Sequence, residues 1–270
     1  FLIYSYIADY LIQSEDCMAK RNRSIDQIDG QMCFDLSTDR LQYVVQANRL
    51  IEGKQNLKLN SAKILRLLIM QIKPDDDDFK TYRIKIADLA RLLRVTSQTL
   101  YRDIDILTND ILTNYVTIRD SSKTGFVKIP WVTACAYHSS KGLSVMLNPL
   151  LKPYLLGLKD HYTQYQLDCI LRMRSTYALR IFELLEKENM LKFLPKEGIT
   201  VDLTIQEIRE ACDCEEKYQK ISQFRLRVLD VAVKEIQRTT TYEVSYSPIK
   251  NGRNIDAVRF QILPKFRPKD

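Results

Sequence analysis

Ile84-Lys85-Ile86-Ala87-Asp88-Leu89-Ala90-Arg91-Leu92-Leu93 lies on Leu203-Thr204-Ile205-Gln206-Glu207-Ile208-Arg209-Glu210-Ala211-Cys212 without a gap, at a constant offset of 119 residues. Apolar Ile84, Ile86, Leu89 and Leu92 fall on Leu203, Ile205, Ile208 and Ala211, and the acid Asp88 falls on Glu207. Each copy opens as a short alternating strand (82–86 in the first) and continues with apolar residues three and four apart, the spacing of a helix with one buried face.

The surroundings repeat as well. After the first copy, Val95-Thr96-Ser97 forms a polar turn in which Thr96 or Ser97 caps a second helix carrying Leu100, Ile104, Leu107 and Ile111. Residues 115–118 and 125–129 alternate around the polar tip 120–124 as a β-hairpin, and a third alternating run, 143–147, ends at Asn148-Pro149. The second copy leads through its own polar turn into a helix with Phe224, Val228, Leu229, Ala232 and Ile236 on one side. A hairpin over 242–246 and 257–262 follows, around Pro248-Ile249-Lys250-Asn251-Gly252-Arg253. Asn251-Gly252 is a strong turn signal, within a connection that reads as longer than two residues.

Upstream of each copy stands an apolar helix. The first covers 62–72, capped by Asn60 or Ser61 and stopped by Pro74, and the second carries Tyr177, Ile181, Leu184 and Leu185. Tyr43, Val44, Ala47, Leu50 and Ile51 also fall at helical spacing. Strand, helix, turn, helix, hairpin is the winged-helix order, a helix-turn-helix extended by a hairpin. The expected fold class is α+β and helix-rich: two tandem winged-helix domains related by internal duplication. The expected division is an N-terminal arm over 1–40, a first domain over 41–150 and a second over 151–270, joined near 149–161.

Charge distinguishes the copies. Lys and Arg number 41 against 34 acids in 270 residues, a net +7. From Lys217 to Asp270, twelve basic residues stand against five acidic ones, so the whole surplus lies in the last fifth of the chain. Such a local excess is the footprint of a polyanion-binding surface. In the second copy, Lys217, Lys220, Ser222, Gln223, Arg225 and Arg227 precede or occupy the second helix with no acid among them. Arg grips guanine O6 and N7, and Gln grips adenine N6 and N7, so this helix is equipped to read base edges. Lys250, Asn251 and Arg253 at the hairpin tip suit phosphate, which positions without specifying. The first copy's helix offers Ser97, Gln98, Thr99, Tyr101 and Arg102 but also Asp103, Asp105 and Asp110, which makes it the weaker reader or a protein-contact surface. Its hairpin, read as the wing, adds Lys123 and Lys128.

No catalytic residue, metal site or cofactor is expected. The two histidines, His138 and His161, form no metal-binding pair of the kind a nicking enzyme uses, and no Gly-rich Lys-Ser/Thr loop is present. Cys212 and Cys214 lack a second ligand pair at zinc spacing and read as a half-buried helix-end thiol beside a surface one. The run 75–78 of four acids reads as a solvated turn, since adjacent carboxylates repel and no spaced calcium loop surrounds them. The six scattered cysteines suit reduced thiols in a cytoplasm. No apolar run approaches a bilayer span of roughly 20 residues. The apolar residues 1–12, broken by Asp9 and without basic residues ahead of them, make a poor signal peptide, and a start at Phe1 rather than Met points to a missing or processed N-terminus.

Three stretches carry a resemblance: Tyr162-Thr163-Gln164-Tyr165; the Tyr177-Ala178-x-Arg180-x-x-Glu183-Leu184-Leu185 motif; and Arg227-Val228-Leu229-x-x-Ala232-x-Lys234-Glu235-Ile236. Together they resemble the initiator proteins of iteron-containing bacterial plasmids over roughly residues 41–266, with 1–40 outside the likeness. The resemblance implies two winged-helix domains, the C-terminal one reading the major groove of directly repeated origin sites and the N-terminal one contacting the other end of the repeat or mediating dimerisation. It also implies monomers that open the origin and recruit the host initiator and helicase, dimers that repress their own gene, and residence in the cytoplasm on plasmid or nucleoid DNA. The alternative is a dimeric winged-helix transcriptional regulator without a replication role.

Overall fold

The computed structural model describes residues 43–120, 124–139, 141–189 and 194–265; the arm over 1–40 and Lys123 lie outside them. In chain order the first half contains β1 (Tyr43–Ala47), α1 (Asn48–Glu52), β2 (Lys54–Gln55), α2 (Leu59–Met70), β3 (Thr81–Ile84), α3 (Ile86–Leu93) and α4 (Ser97–Thr113). Four strands follow: β4 (Tyr115–Arg119), β5 (Phe126–Pro130), β6 (Val132–His138) and β7 (Gly142–Leu147). A single turn of helix, α5 (Lys152–Leu155), leads to β8 (Tyr162–Gln166), α6 (Leu167–Leu171), α7 (Thr176–Asn189), β9 (Ile199–Thr204) and α8 (Ile205–Ala211). The last helix, α9, joins Ile221–Phe224, a π-turn over Arg225–Leu229 and Asp230–Thr239, and the chain closes with β10 (Tyr242–Asn251) and β11 (Asn254–Pro264).

The duplication reaches well beyond the ten matched residues. The same shift of 119 carries β1 onto β8 and α1 onto α6, and places α2, β3 and α3 on α7, β9 and α8. It also carries a left-handed residue onto a left-handed residue: Arg94 at φ 57° closes α3, and Asp213 at φ 49° follows α8. Behind each, the next N–H reaches back to the helix, Val95 to the Ala90 carbonyl at 3.0 Å and Cys214 to the Arg209 carbonyl at 2.9 Å, the same helix-ending motif twice. β1 and β8 pair antiparallel with Val45 opposite Gln164, and those two residues are themselves equivalents. The copies therefore meet strand to equivalent strand about a local two-fold axis.

Strand ladders decide which hairpin is a wing. In the second copy β9 pairs with β11, which pairs with β10; in the first, β3 pairs with β7, which pairs with β6. The first copy's wing is thus β6–β7. The β4–β5 hairpin read as the wing from the sequence belongs to a separate sheet with β2. It is their partner strands, distant in sequence, that separate the two hairpins. Gly142, at φ +86°, starts β7 where a Cβ would stand 2.4 Å from the Ile84 carbonyl oxygen, so the wing strand closes on β3 only through glycine.

Other local expectations shift for similar reasons. Residues 43–47 form a strand rather than a helix, because ladder bonds to β8 outweigh a helical apolar spacing. α2 begins after Lys58, and Ser61 is buried within it instead of capping it. The second wing's strands run on through Lys250 to Asn251 opposite Asn254, leaving a two-residue connection, Gly252-Arg253, with a bulge between Ile249 and Lys250. Cys214, read as a surface thiol, is buried to 1% exposure. The acidic run is a turn in which Asp76 pairs with Lys80 at 2.6 Å and Asp78 with Lys152 at 2.7 Å.

Where the copies join, charge is buried with them. Glu183 on α7 accepts from Arg66 Nε of α2 at 2.9 Å, from Gln46 of β1 at 3.0 Å and from the Tyr165 hydroxyl of β8, and its other oxygen accepts from Arg66 and Arg180. Arg180 reaches on to the carbonyls of Ile51 and Gly53, and Arg66 lies 5.7 Å from the Trp131 ring. Burial alone would raise the Glu183 carboxyl; the two guanidiniums overcome this and hold it at about 2. The charged positions of the Tyr177–Leu185 motif thus tie β1 and α2 to α7, away from any surface.

Candidate nucleic-acid interface

The second copy's helix-turn-helix is assembled from its first helix outward. Thr204 caps α8, accepting from the Glu207 N–H at 3.1 Å while Glu207 accepts from the Thr204 N–H at 2.9 Å. At the other end of α8, the Arg209 guanidinium donates to the carbonyls of Cys214, Lys217 and Tyr218 at 3.1, 2.7 and 2.8 Å, and lies 4.4 Å from the Phe224 ring centre. The turn is wound around that one side chain, which absorbs carbonyls no helix could satisfy. Nothing in the apolar pattern marks Arg209 for this work; an arginine at the end of a helix reads as solvated. Lys54 of β2 pairs with Asp213 at 3.0 Å and Glu215 at 2.9 Å, so two of the turn's acids are answered from the first copy.

From Lys220, its N-terminal flanking residue, α9 shows two faces. Phe224, Val228, Leu229 and Ala232 are wholly buried, while Lys217, Lys220, Ser222, Gln223, Arg225 and Arg227 are all exposed. Arg225 Nε donates to the Tyr246 hydroxyl oxygen at 3.3 Å, and that hydroxyl donates to Asp230 Oδ1 at 2.6 Å. The contact keeps Arg225 protonated more firmly and fastens α9 to strand β10 of the wing. Among the described residues, nothing pairs with Lys217, Lys220, Arg227, Lys250 or Arg253, so these cations are free for a partner. Lys250, Asn251 and Arg253 are exposed at the tip of β10–β11. The arrangement presents an unanswered positive helix face beside a positive hairpin, which matches a groove flanked by phosphates.

The first copy is arranged otherwise. Thr96 caps α4, accepting from the Thr99 N–H at 3.2 Å, and Ser97 is half-buried. Gln98 and Tyr101 are exposed, the Tyr101 ring set edge-on to Tyr137 of the wing at 6.3 Å. Arg102 is spent on its neighbour, Asp103, at 2.9 Å. Lys128 sits over the rings of Tyr115 and Phe126 at 5.1 and 5.5 Å on the β4–β5 hairpin, apart from the wing sheet. Among the described residues no cluster of three His, Cys, Asp or Glu side chains could hold a metal, and no helix is long and apolar enough to cross a membrane.

Comparison with known proteins agrees with this architecture. The family model described as Initiator Replication protein, WH1, matches residues 43–186, and that of Initiator Rep protein, WH2, matches residues 204–262. A replication initiation protein of Escherichia coli is 23% identical across 81% of this chain and 69% of its own length. The PI protein of Escherichia coli is 22% identical across 83% of this chain and 86% of its own length. In fold, the chain is similar to the crystal structure of Pi initiator protein in complex with iteron DNA, with a TM-score of 0.70 at 18% identity over 84% of this chain and 99% of that one. With both modules matched in order across most of its length, the chain belongs to the Initiator Replication protein family, its two winged helices being the family's WH1 and WH2.

Proposed function

We propose that the protein is a sequence-specific, double-stranded-DNA-binding plasmid replication initiator, non-enzymatic, that binds directly repeated origin sites. The observation that carries this reading is the run 217–229, without an acid, in which Lys217, Lys220 and Arg227 stand exposed with no partner among the described residues, and the basic wing tip beside it. Gln223, Arg225 and Arg227 read base edges in the major groove, with Lys217, Lys220 and Ser222 at the helix entrance. Lys250, Asn251 and Arg253 hold the phosphate backbone. The first copy adds weaker contacts through Ser97, Gln98, Tyr101 and Arg102, with Lys128 on its extra hairpin and Lys123, outside the described residues, close to it in sequence. The monomer opens the origin and recruits the host initiator and helicase, and a dimer represses the protein's own gene. The similarity to a Pi initiator solved with iteron DNA supports the repeat as ligand.

Footprinting on the DNA flanking the gene tests the proposal. Protection of direct repeats spaced by about two helical turns, near 20 bp, is the expected result. Protection of a single palindrome would replace the initiator with a dimeric transcriptional regulator. Strand cleavage or nucleotide incorporation by the pure protein would overturn the non-enzymatic reading.

A further inference from the structure

The reading of α9 as the groove-entering helix leaves one of its outward side chains without a task. Leu226 is 60% exposed, the most exposed residue among the large apolar side chains of the second copy's described residues. It lies two positions from wholly buried Phe224 and two from wholly buried Val228. In α or in wider π winding, two positions carry a residue to roughly the opposite side of the helix, so Leu226 lies away from the buried face. The π-turn accentuates this: Arg225, Leu226 and Arg227 are exposed in succession, followed by the buried pair Val228 and Leu229. Such one-residue widenings of a helix recur at functional sites.

A single exposed leucine on a protein surface is ordinary. This one is flanked by exposed hydrogen-bonding side chains. Arg225 and Arg227 flank it in sequence, and Ser222 and Gln223, four and three residues earlier, share its face. Arg225 is fixed by the Tyr246 hydroxyl, so the apolar side chain has a defined neighbour on the wing side. Among polar edges in the major groove, one base offers an apolar group to such a side chain, the C5-methyl of thymine. We propose that Leu226 is a specificity-determining residue that packs on the methyl group of one thymine in the repeat. This rests on the proposed DNA-reading role of α9.

Deoxyuridine isolates the contact, because it lacks only that methyl. The full chain is titrated by fluorescence anisotropy against the repeat and against versions in which each thymine in turn is replaced by deoxyuridine. Wild-type protein loses about four-fold in affinity at one thymine, the value of one buried methyl-sized group. Leu226→Ala binds the unmodified repeat about as weakly as wild type binds that deoxyuridine version, and it no longer distinguishes the two. An unchanged melting temperature for Leu226→Ala shows that the loss is not one of folding. Tight wild-type binding indifferent to every deoxyuridine, or a Leu226→Ala variant that keeps the discrimination, overturns this assignment alone. No binding to the unmodified repeat overturns the initiator reading beneath it as well.

Discussion

Replacing Glu183 with glutamine should unlock the junction between the two winged helices. The substitution keeps the shape and two hydrogen-bonding atoms but removes the one carboxylate that pairs, among the described residues, with the Arg66 and Arg180 guanidiniums, both almost wholly buried. Breaking a buried pair from one side costs about 3–5 kcal/mol, since the remaining charge has neither water nor a partner. The carboxyl gives a second route to the magnitude. It is held at about 2 against an ordinary 4.5, and a depression of that size corresponds to about 3 kcal/mol of native-state stabilisation. Because the native value lies below the unfolded one, this contribution is complete above pH 4.5 and drains away as the pH falls towards 2. Thermal and urea unfolding at pH 7 should show a loss of about 3–5 kcal/mol for Glu183→Gln, or roughly 6–20 °C in Tm. The gap between the two proteins should be flat from pH 8 to about pH 5 and should narrow below that. A gap under 1 kcal/mol at neutral pH, or one of constant size from pH 6 to pH 3, would refute the picture of an ionised carboxylate clamping the copies together.

Four further substitutions probe the interface and its support. Arg227→Ala should cost about 1–3 kcal/mol on the cognate repeat and relax specificity at one base pair, read by competition with point-changed sites. Lys250→Ala should weaken binding to every duplex alike and make the slope of log affinity against log salt shallower by about one; if both changes leave affinity untouched at moderate salt, the contact face lies elsewhere. Tyr246→Phe removes only the oxygen that links Arg225 to Asp230; it should weaken cognate binding a few-fold in the wild type and have no effect in an Arg225→Ala background, so additive losses would count against the link. Thr204→Ala opens the cap that starts α8; it should lower stability by about 1 kcal/mol, and a melting curve unchanged from wild type would show that the cap contributes nothing.

The relation between the two copies was legible because it is written in local patterns. An alternating strand that feeds a helix with one apolar face has a period, and a period survives in the sequence even when identities drift. The free cations of α9 and of the wing tip were legible too: an acid-free run cannot be neutralised by its own neighbours, and the buried Phe224 and Val228 fix which side faces out. The π-turn was not, since a one-residue widening leaves the apolar spacing almost unchanged.

What the chain order could not decide were the contacts between segments far apart. Residues 43–47 become a strand only because 162–166 lie alongside, and the first wing is β6–β7 only because β3 bonds to β7. Arg66, Arg180 and Arg209 each look in sequence like solvated cations, yet one side chain closes the turn before α9 and two are sealed at the junction. A ladder or a buried ion pair takes its energy from two partners at once. Each partner alone carries an ordinary alternation or an ordinary charge, so the pairing, and with it the surface left free, is settled only when the chain has folded.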